Sequence, residues 1–259
     1  MLAGGQSLVP LLNYRLAMPR IVVDVNRLPL DGLEVGGGRL RIGALVRHHR
    51  LEESGEIARH CPILRDAVAL VGNVRVRSLG TVGGSLAHAD PAAELPMMAL
   101  ALDGRCTLAG SGGSRVVEVR EFVTGPLTTV LRPDELLTEI DLATVGARGW
   151  AVEEIARRAG DFAIVAVAAL LGLDARGRAT DVRIALGGVG PVPVRAMAAE
   201  EALTGHEPTA ERLAHCAAIA RDALEPASDG FVSAAYRRHL AGVLVRRALS
   251  RATTRAMAA

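Results

Sequence analysis

Lysine and aromatic residues are the clearest deficits of this 259-residue sequence. It contains no lysine, so all 30 basic side chains are arginines, and 28 acidic side chains balance them to a formal charge of +2. Binding to nucleic acid usually needs a strongly basic field, which this balance does not supply. Aromatic residues make up only 2% of the chain, too few for the stacking platforms that bind single strands. The composition therefore argues against a nucleic-acid partner.

Cysteines and long apolar runs are also scarce. The three cysteines are far apart, odd in number and without C-x-x-C spacing, so we expect buried thiols and predict neither a disulfide framework nor a metal site. The nearest approach to a membrane helix is the apolar stretch 162–173, which is shorter than the roughly 18 residues required. The first residues lack the charged start and apolar stretch of a secretory signal, which predicts a cytoplasmic protein.

Apolar residues are abundant instead, at 50% of the chain against 22% charged residues. At this length, such a composition is typical of a soluble globular protein with one large domain or two small ones. A glycine-containing stretch at 143–149 separates two different patterns, and we place a boundary there. The sequence therefore predicts one domain over 1–145 and a second over 149–256.

Both halves of the chain mix predicted helices with predicted strands. In the first half the apolar spacing predicts helices within 8–16, 51–60, 62–71 and 94–102, and strands over 21–25, 33–46 (a hairpin), 105–108, 115–119 and 136–142. Residues 72–92 are predicted to form a long irregular loop, a feature that is usually functional or mobile. In the second half we predict strands over 150–158, 162–173 and 182–186, then helices over 196–204, 210–224 and 232–256.

Two segments that each contain a pair of adjacent glycines are the candidate ligand-binding loops of the sequence. The first, 3–7, opens a short helix, and the second, 81–85, has hydroxyl side chains at both ends. Backbone N–H groups at such turns can bind phosphate, although a plain turn with Ser7 as helix N-cap also fits the first segment. Neither segment matches the P-loop, which needs lysine, or the G-x-G-x-x-G fingerprint. Two such turns suit a pyrophosphate held between them, as in a dinucleotide such as FAD.

These segments resemble the two flavin loops of a known family, the FAD-binding medium subunits of molybdenum hydroxylases, which include carbon monoxide dehydrogenase and xanthine dehydrogenase. The similar segments are LAGGQSL at 2–8, SLGTVGGSLAHADP at 78–91, RRAGDFA at 157–163, ALGGV at 185–189 with Pro193 and Arg195, and YRRHL at 236–240. The resemblance therefore runs through both halves of the chain. It implies an α+β fold, in which a vanillyl-alcohol-oxidase-type FAD-binding domain precedes a small C-terminal domain of antiparallel sheet and helices.

The resemblance also implies a function. Such a subunit is the oxidoreductase component that carries FAD and passes electrons from [2Fe-2S] clusters to an external acceptor. Its partners would be a molybdopterin-binding large subunit and a [2Fe-2S] small subunit. No side chain is expected to act as a catalytic acid or base, because the cofactor carries the reaction.

The family's cofactor contacts can be carried over to matching positions. The two loops would wrap the pyrophosphate largely through backbone amides, an acidic side chain would bind the adenosine part, and two apolar side chains would lie near the flavin. In that order, the implied FAD-binding residues are Ala3, Gly4, Gly5, Gln6 and Ser7, then Thr81, Val82, Gly83, Gly84 and Ser85, then Glu94, then Leu137 and Phe162. His88 would either touch the flavin or cap a turn.

The sequence departs from the family pattern in two places. The family has an additional strand and helix before the first loop, which we expect to be absent here because Met1 is so close to the glycines. Glu153 and Glu154 stand where the family tends to have a lysine, so a lysine contact with the flavin is not predicted. Two alternatives stay open, namely an FAD-free assembly or scaffold subunit of such a complex and a stand-alone flavoenzyme. His48 and His49 are not expected to bind a metal, because adjacent side chains point in different directions.

Overall fold

The computed structural model describes residues 1–258 as helices packed on three antiparallel sheets. The helices are α1 (Leu8–Asn13), α2 (His48–Glu53), α3 (Gly55–His60), α4 (Pro62–Leu70), α5 (Val74–Leu79), α6 (Val82–His88), α7 (Glu94–Ala101), α8 (Val119–Phe122), α9 (Met197–Leu203), α10 (Ala210–Asp222) and α11 (Ala234–Met257). The strands are β1 (Leu33–Gly36), β2 (Arg39–Gly43), β3 (Arg105–Gly110), β4 (Gly113–Glu118), β5 (Val123–Gly125), β6 (Thr128–Thr129), β7 (Leu136–Ala143), β8 (Gly149–Ala156), β9 (Ala163–Leu173), β10 (Ala179–Gly187) and β11 (Val194–Arg195). The predicted α+β class is confirmed.

The first half of the chain is organised around a five-stranded sheet in the order β1-β2-β7-β3-β4. Its first hairpin turns at Gly37 and Gly38, whose φ angles of 60° and 73° are in the left-handed region, so the predicted hairpin is confirmed. In β2, Leu40 and Ile42 alternate with more exposed neighbours and are fully buried. Burying each of these side chains stabilises the fold by about 1.5–3 kcal/mol.

The second half contains a four-stranded sheet in the order β11-β10-β9-β8, and its two faces bury different cores. Ala166, Ala168 and Leu170 of β9 pack with the core of the five-stranded sheet. Val165 and Val167, on the opposite face, pack with the core formed by α9, α10 and α11. Because both faces of β9 are covered, its sequence is apolar throughout, and the two halves of the chain meet across this sheet.

Two predictions for the first half are wrong. The predicted loop at 72–92 contains α5 and α6, whose N-termini are capped by the side chains of Asn73 and Thr81. The predicted strand at 21–25 is absent from the described residues, where only one bridge joins this segment to the rest of the chain, from Asp24 to Leu2. A β-branched run forms a strand only where a neighbouring strand pairs along its length, and the side chain of Ile21 is exposed.

The longest helix of residues 1–258 is α11, with 24 residues. Its arginines keep its hydropathy low, and neither α11 nor any shorter helix in this part of the chain has the length and apolar character needed to cross a bilayer. The three cysteines are buried free thiols, as expected. Burial raises the pKa of both Cys61 and Cys106 to about 12, so these thiols are unreactive.

Candidate functional site

A cavity of about 510 Å³ lies where the two halves of the chain meet, a size typical of small-molecule sites. Its wall combines the loop before α1, the N-terminal part of α6, the start of α7, the start of β7 and residues 160–162. All of the predicted site residues line it except Val82. That side chain is 2% exposed and packs in the hydrophobic core, because α6 turns it away from the cavity.

The first glycine loop supplies backbone donors that are free to bind a ligand. Among the hydrogen bonds of residues 1–258, none has a backbone N–H of residues 3–7 as its donor. Ser7 occupies the N-cap position of α1, but its side chain accepts no hydrogen bond from the helix. A cap made by the Ser7 side chain is therefore absent, and the free amides need an acceptor from water or from a ligand.

Close contact with the chain before the second segment requires glycine at position 4, and the backbone conformation favours glycine at position 5. A Cβ atom on Gly4 would lie 2.2 Å from the carbonyl oxygen of Leu79 and 2.8 Å from the Cα of Gly80. Gly5 has a φ of 71°, which L-residues with side chains rarely adopt. The first loop thus lies directly against the chain that leads into the second segment.

The second segment is built differently from the prediction. Its backbone N–H groups at 82–85 all donate within the protein, to the carbonyl oxygens of Val46 and Ala44 and to the side chain and carbonyl oxygen of Thr81. A Cβ on Gly83 would lie 2.4 Å from the Cβ of Ala44, so this glycine allows α6 to pack on the turn after β2. The backbone donors of the cavity therefore come from the first loop, and the second segment offers the Ser85 side chain and the bare surface of Gly84.

Carboxyl groups occupy another part of the cavity wall. Glu94, the first residue of α7, is 4% exposed; burial raises the pKa of its carboxyl to about 7, and the charge of Asp90 adds to the rise. Asp90 also accepts a hydrogen bond of 2.9 Å from the N–H of Ala92, which confirms its predicted turn role. Glu135 is bound at 2.7 and 2.8 Å by the guanidinium of Arg115, which lowers the pKa of this carboxyl to about 2.

The two predicted apolar contacts differ in burial. Leu137, at the start of β7, is only 3% exposed and forms part of the inner wall. Phe162, just before β9, is 60% exposed while also lining the cavity, so its ring lies at the rim. An apolar wall with an aromatic rim suits a planar ring system better than a compact polar ligand.

His48 is a cavity residue that the sequence did not identify as one. It is 5% exposed and neither ring nitrogen has a hydrogen-bond partner within the described part of the chain. Burial lowers the pKa of its imidazole to about 4, although the adjacent Thr81 backbone opposes this shift. His48 is therefore neutral near pH 7. No group of three or more His, Cys, Asp or Glu in residues 1–258 is arranged to hold a metal ion.

Other cavity residues missed from the sequence include Val76, Leu131 and Gly160. Val76 belongs to α5, which was not predicted. Leu131 lies in an irregular segment with no motif. Gly160 lies two residues before the predicted Phe162 contact in the RAGDF segment, so the motif could have indicated it.

Comparison with known proteins identifies both halves of the chain. Residues 1–143 match the FAD binding domain in molybdopterin dehydrogenase, and residues 150–252 match the CO dehydrogenase flavoprotein C-terminal domain. The 6-hydroxypseudooxynicotine dehydrogenase complex subunit alpha of Paenarthrobacter nicotinovorans is 38% identical over 257 residues, covering 98% of this chain and 87% of that protein.

Carbon monoxide dehydrogenases provide sequence and structural relatives. The medium chain from Afipia carboxidovorans is 35% identical over 257 residues, covering 98% of this chain and 89% of that protein. A solved carbon monoxide dehydrogenase from Hydrogenophaga pseudoflava matches with a TM-score of 0.95 and 36% identity, covering 98% of this chain and 89% of the other. The chain therefore belongs to the family of FAD-binding subunits of molybdopterin dehydrogenases, and it is an oxidoreductase component whose cofactor is FAD.

Proposed function

We propose that this chain holds FAD in the cavity between its two halves and relays electrons through it, from the iron–sulfur clusters of a partner subunit to an external acceptor. The observation that carries the proposal is the first glycine loop, whose N–H groups at 3–7 lack protein acceptors while lining the cavity. A pyrophosphate is the part of FAD that needs such donors. Bound FAD would supply the redox chemistry, and the chain would supply binding, orientation and electrostatics.

The cavity wall supports a specific division of roles. The amides of residues 3–7 would bind the pyrophosphate, with the Ser85 side chain beside them. Glu94 would accept hydrogen bonds from hydroxyl groups of the adenosine part, and Leu137 and Phe162 would contact the flavin ring. Thr81, Val82 and Gly83 would act indirectly, because they hold α6 in place. Direct contact with the cofactor is thus not proposed for these three residues, because they form hydrogen bonds or pack within the protein.

We further propose that the FAD-binding domain comprises 1–145 and the C-terminal domain 149–256. The two main sheets, which contain β1–β4 with β7 and β8–β11 respectively, support this division. The partners would be a molybdopterin-binding large subunit and a [2Fe-2S] small subunit. This part is supported by relatives that are themselves named as a complex subunit and a medium chain. The cytoplasmic location stays a prediction from the sequence.

The first experiment is a direct test of cofactor binding. The purified chain is mixed with FAD, freed of unbound FAD by gel filtration, and examined by absorption spectroscopy and FAD assay. We expect flavin bands and a stoichiometric amount of FAD. A colourless protein that still assembles with a molybdopterin-binding partner would contradict the proposal and favour the FAD-free scaffold subunit.

The second experiment tests the electron relay in the assembled complex. Substrate should reduce the iron–sulfur clusters and then bleach the flavin absorption. Removal of FAD should stop reduction of the external acceptor while cluster reduction continues. Transfer to the acceptor at an undiminished rate without FAD would contradict the relay. An isolated chain that oxidises a small substrate unaided would instead support a stand-alone flavoenzyme.

A further inference from the structure

Side-chain amides hold the carbonyl oxygens of the first glycine loop. The oxygen of Ala3 accepts a hydrogen bond of 3.0 Å from the side chain of Asn26, and the oxygen of Gly4 accepts one of 2.9 Å from the side chain of Gln6. In a planar trans peptide the C=O and N–H bonds point in opposite directions. The peptide whose oxygen is held by Asn26 also carries the N–H of Gly4, so this contact turns that N–H to the opposite side.

Asn26 binds the loop with its side-chain amide in one defined orientation. Its Nδ2 atom donates to Ala3 and, at 2.7 Å, to the carboxylate of Asp24. Its Oδ1 atom accepts a hydrogen bond of 2.7 Å from the guanidinium of Arg47. A guanidinium only donates and a backbone carbonyl only accepts, so the reverse orientation of the amide would break both contacts. Asn26 therefore links Arg47 to the first loop.

Arg47 also binds the backbone on which the first loop rests. Its Nη1 atom donates to the carbonyl oxygen of Leu79, the atom that would lie 2.2 Å from a Cβ on Gly4. Arg47 directly precedes α2 and forms an isolated antiparallel bridge with Thr81, the N-cap of α6. One guanidinium thus holds the chain in front of the second glycine pair and the amide that orients the first loop.

We propose that Arg47 is a positioning residue for the cofactor, which acts through Asn26 and the Leu79 carbonyl to keep the Gly4 N–H directed into the cavity. Arginine suits this role because its planar guanidinium presents several donors in a rigid arrangement and can bind two acceptors in defined directions. Arg47 is not among the cavity-lining residues found in 1–258, so it acts without touching FAD. The part of this inference that concerns FAD rests on the proposed function, whereas the ordering of the loop does not.

Arg50 of α2 provides a matched comparison. Both arginines line the same surface depression beside α2, so each brings one positive charge to the same region. Arg50, however, donates to the carbonyl oxygen of Asp31, which belongs to neither glycine segment. Loss of charge near an anionic cofactor would affect both arginine variants alike, whereas loss of loop geometry would affect only the Arg47 variant.

The first test uses the chain without FAD. NMR measures the hydrogen-exchange rate of the Val25 amide in the wild type, Asn26→Ala, Arg47→Ala and Arg50→Ala. This amide donates to the carbonyl oxygen of Leu2 at 3.0 Å, so its exchange reports local opening beside the loop. Loss of one supporting hydrogen bond should speed exchange about fivefold in Asn26→Ala and Arg47→Ala, while Arg50→Ala should keep the wild-type rate. Wild-type exchange in both loop variants would overturn the ordering role.

The second test measures FAD affinity by quenching of flavin fluorescence in the same proteins and in the double variant Asn26→Ala/Arg47→Ala. The dissociation constant should rise about fivefold in Asn26→Ala and at least as much in Arg47→Ala, which also releases Leu79. The double variant should bind about as weakly as Arg47→Ala, because its two changes break the same chain of contacts. Arg50→Ala should bind as the wild type does.

Each comparison has a result that contradicts the positioning role. Equal weakening by Arg50→Ala would assign the effect to lost charge, and additive losses in the double variant would show that Asn26 and Arg47 act separately. Wild-type affinity in folded Arg47→Ala would also overturn the proposal. If Arg47→Ala does not fold, Asn26→Ala decides the question, because its side chain is exposed and its loss is tolerated. A wild type that binds no FAD would overturn the proposed function alone, since the exchange rates still decide the ordering of the loop.

Discussion

Substitution of Gly4 by alanine tests the first glycine loop directly. The added Cβ would lie 2.2 Å from the carbonyl oxygen of Leu79 and 2.8 Å from the Cα of Gly80. Nonbonded carbon atoms normally approach to about 3.5 Å, so the loop must move by about 1 Å. Both neighbouring atoms belong to the backbone, and no side-chain rotation can relieve the contact. The movement therefore shifts the free N–H groups of residues 3–7 relative to the rest of the cavity.

The expected magnitude follows from the strength of the hydrogen bonds that this movement disturbs. A hydrogen bond to a charged group contributes about 1.5–3 kcal/mol. Loss of one amide–phosphate bond thus weakens binding about 10- to 100-fold, since about 1.4 kcal/mol corresponds to a tenfold change. The crowding itself costs about 1–3 kcal/mol of folding stability unless the loop relaxes.

The assay is fluorescence titration of FAD into Gly4→Ala, the wild type and Gly55→Ala. Gly55 begins α3, and a Cβ there would have no heavy atom within 4 Å, so this variant should bind FAD as the wild type does. Circular dichroism and urea unfolding establish that each protein is folded. A folded Gly4→Ala protein with the wild-type dissociation constant would refute the assignment of the first loop to the pyrophosphate.

Three further variants test separate parts of the site. The side chain of Thr81 caps α6 by accepting a hydrogen bond of 3.1 Å from the N–H of Gly84. Thr81→Ala removes this cap and should lower the free energy of unfolding, measured with urea, by about 1 kcal/mol. Phe162→Ala should leave that free energy within about 0.5 kcal/mol of the wild type, because the ring is 60% exposed, yet weaken FAD binding severalfold in the fluorescence titration. Glu135 has its pKa lowered to about 2 by Arg115, so its contribution to stability is present above about pH 4.3 and lost as the pH falls towards 2. Urea unfolding over that range should therefore be less pH-dependent in Glu135→Gln than in the wild type.

Local signals in the sequence predicted much of the secondary structure. The hairpin at 33–46 follows from glycines that adopt positive φ at Gly37 and Gly38, and α4 begins at Pro62 as the first-turn preference for proline indicates. The helices α5 and α6 were missed because the four glycines of the segment 72–92 suggested a loop, although α5 contains none of them and α6 only two. Asn73 and Thr81 are the N-cap residues of these two helices, and both are residue types that favour this position. A local signal for the N-termini was therefore present.

Features that depend on distant contacts could not be read from the sequence. Strand formation at 21–25 required a pairing partner, which no local pattern reveals. The amides of Val82 and Gly83 donate to Val46 and Ala44, which lie almost forty residues earlier in the chain. The same turn brings His48 against Gly80, where a Cβ would lie 2.9 Å from the imidazole. The loop motifs therefore predicted residues that line one cavity, whereas only the three-dimensional structure shows which of the two loops has free backbone N–H groups.

The charge of the cavity wall explains why neutral backbone donors matter here. The wall contains Asp90, Glu94, Glu135 and Asp161, and none of the 30 arginines lies among the lining residues found in 1–258. A pyrophosphate placed in such a cavity gains no ion pair and would meet like charge. Arg115 neutralises Glu135 directly, and burial raises the pKa of Glu94 to about 7, which reduces the negative charge of this carboxyl near neutral pH. The remaining attraction must come from amide dipoles, which bind an anion without adding a mobile side chain, and this makes the geometry of the first loop decisive for FAD binding.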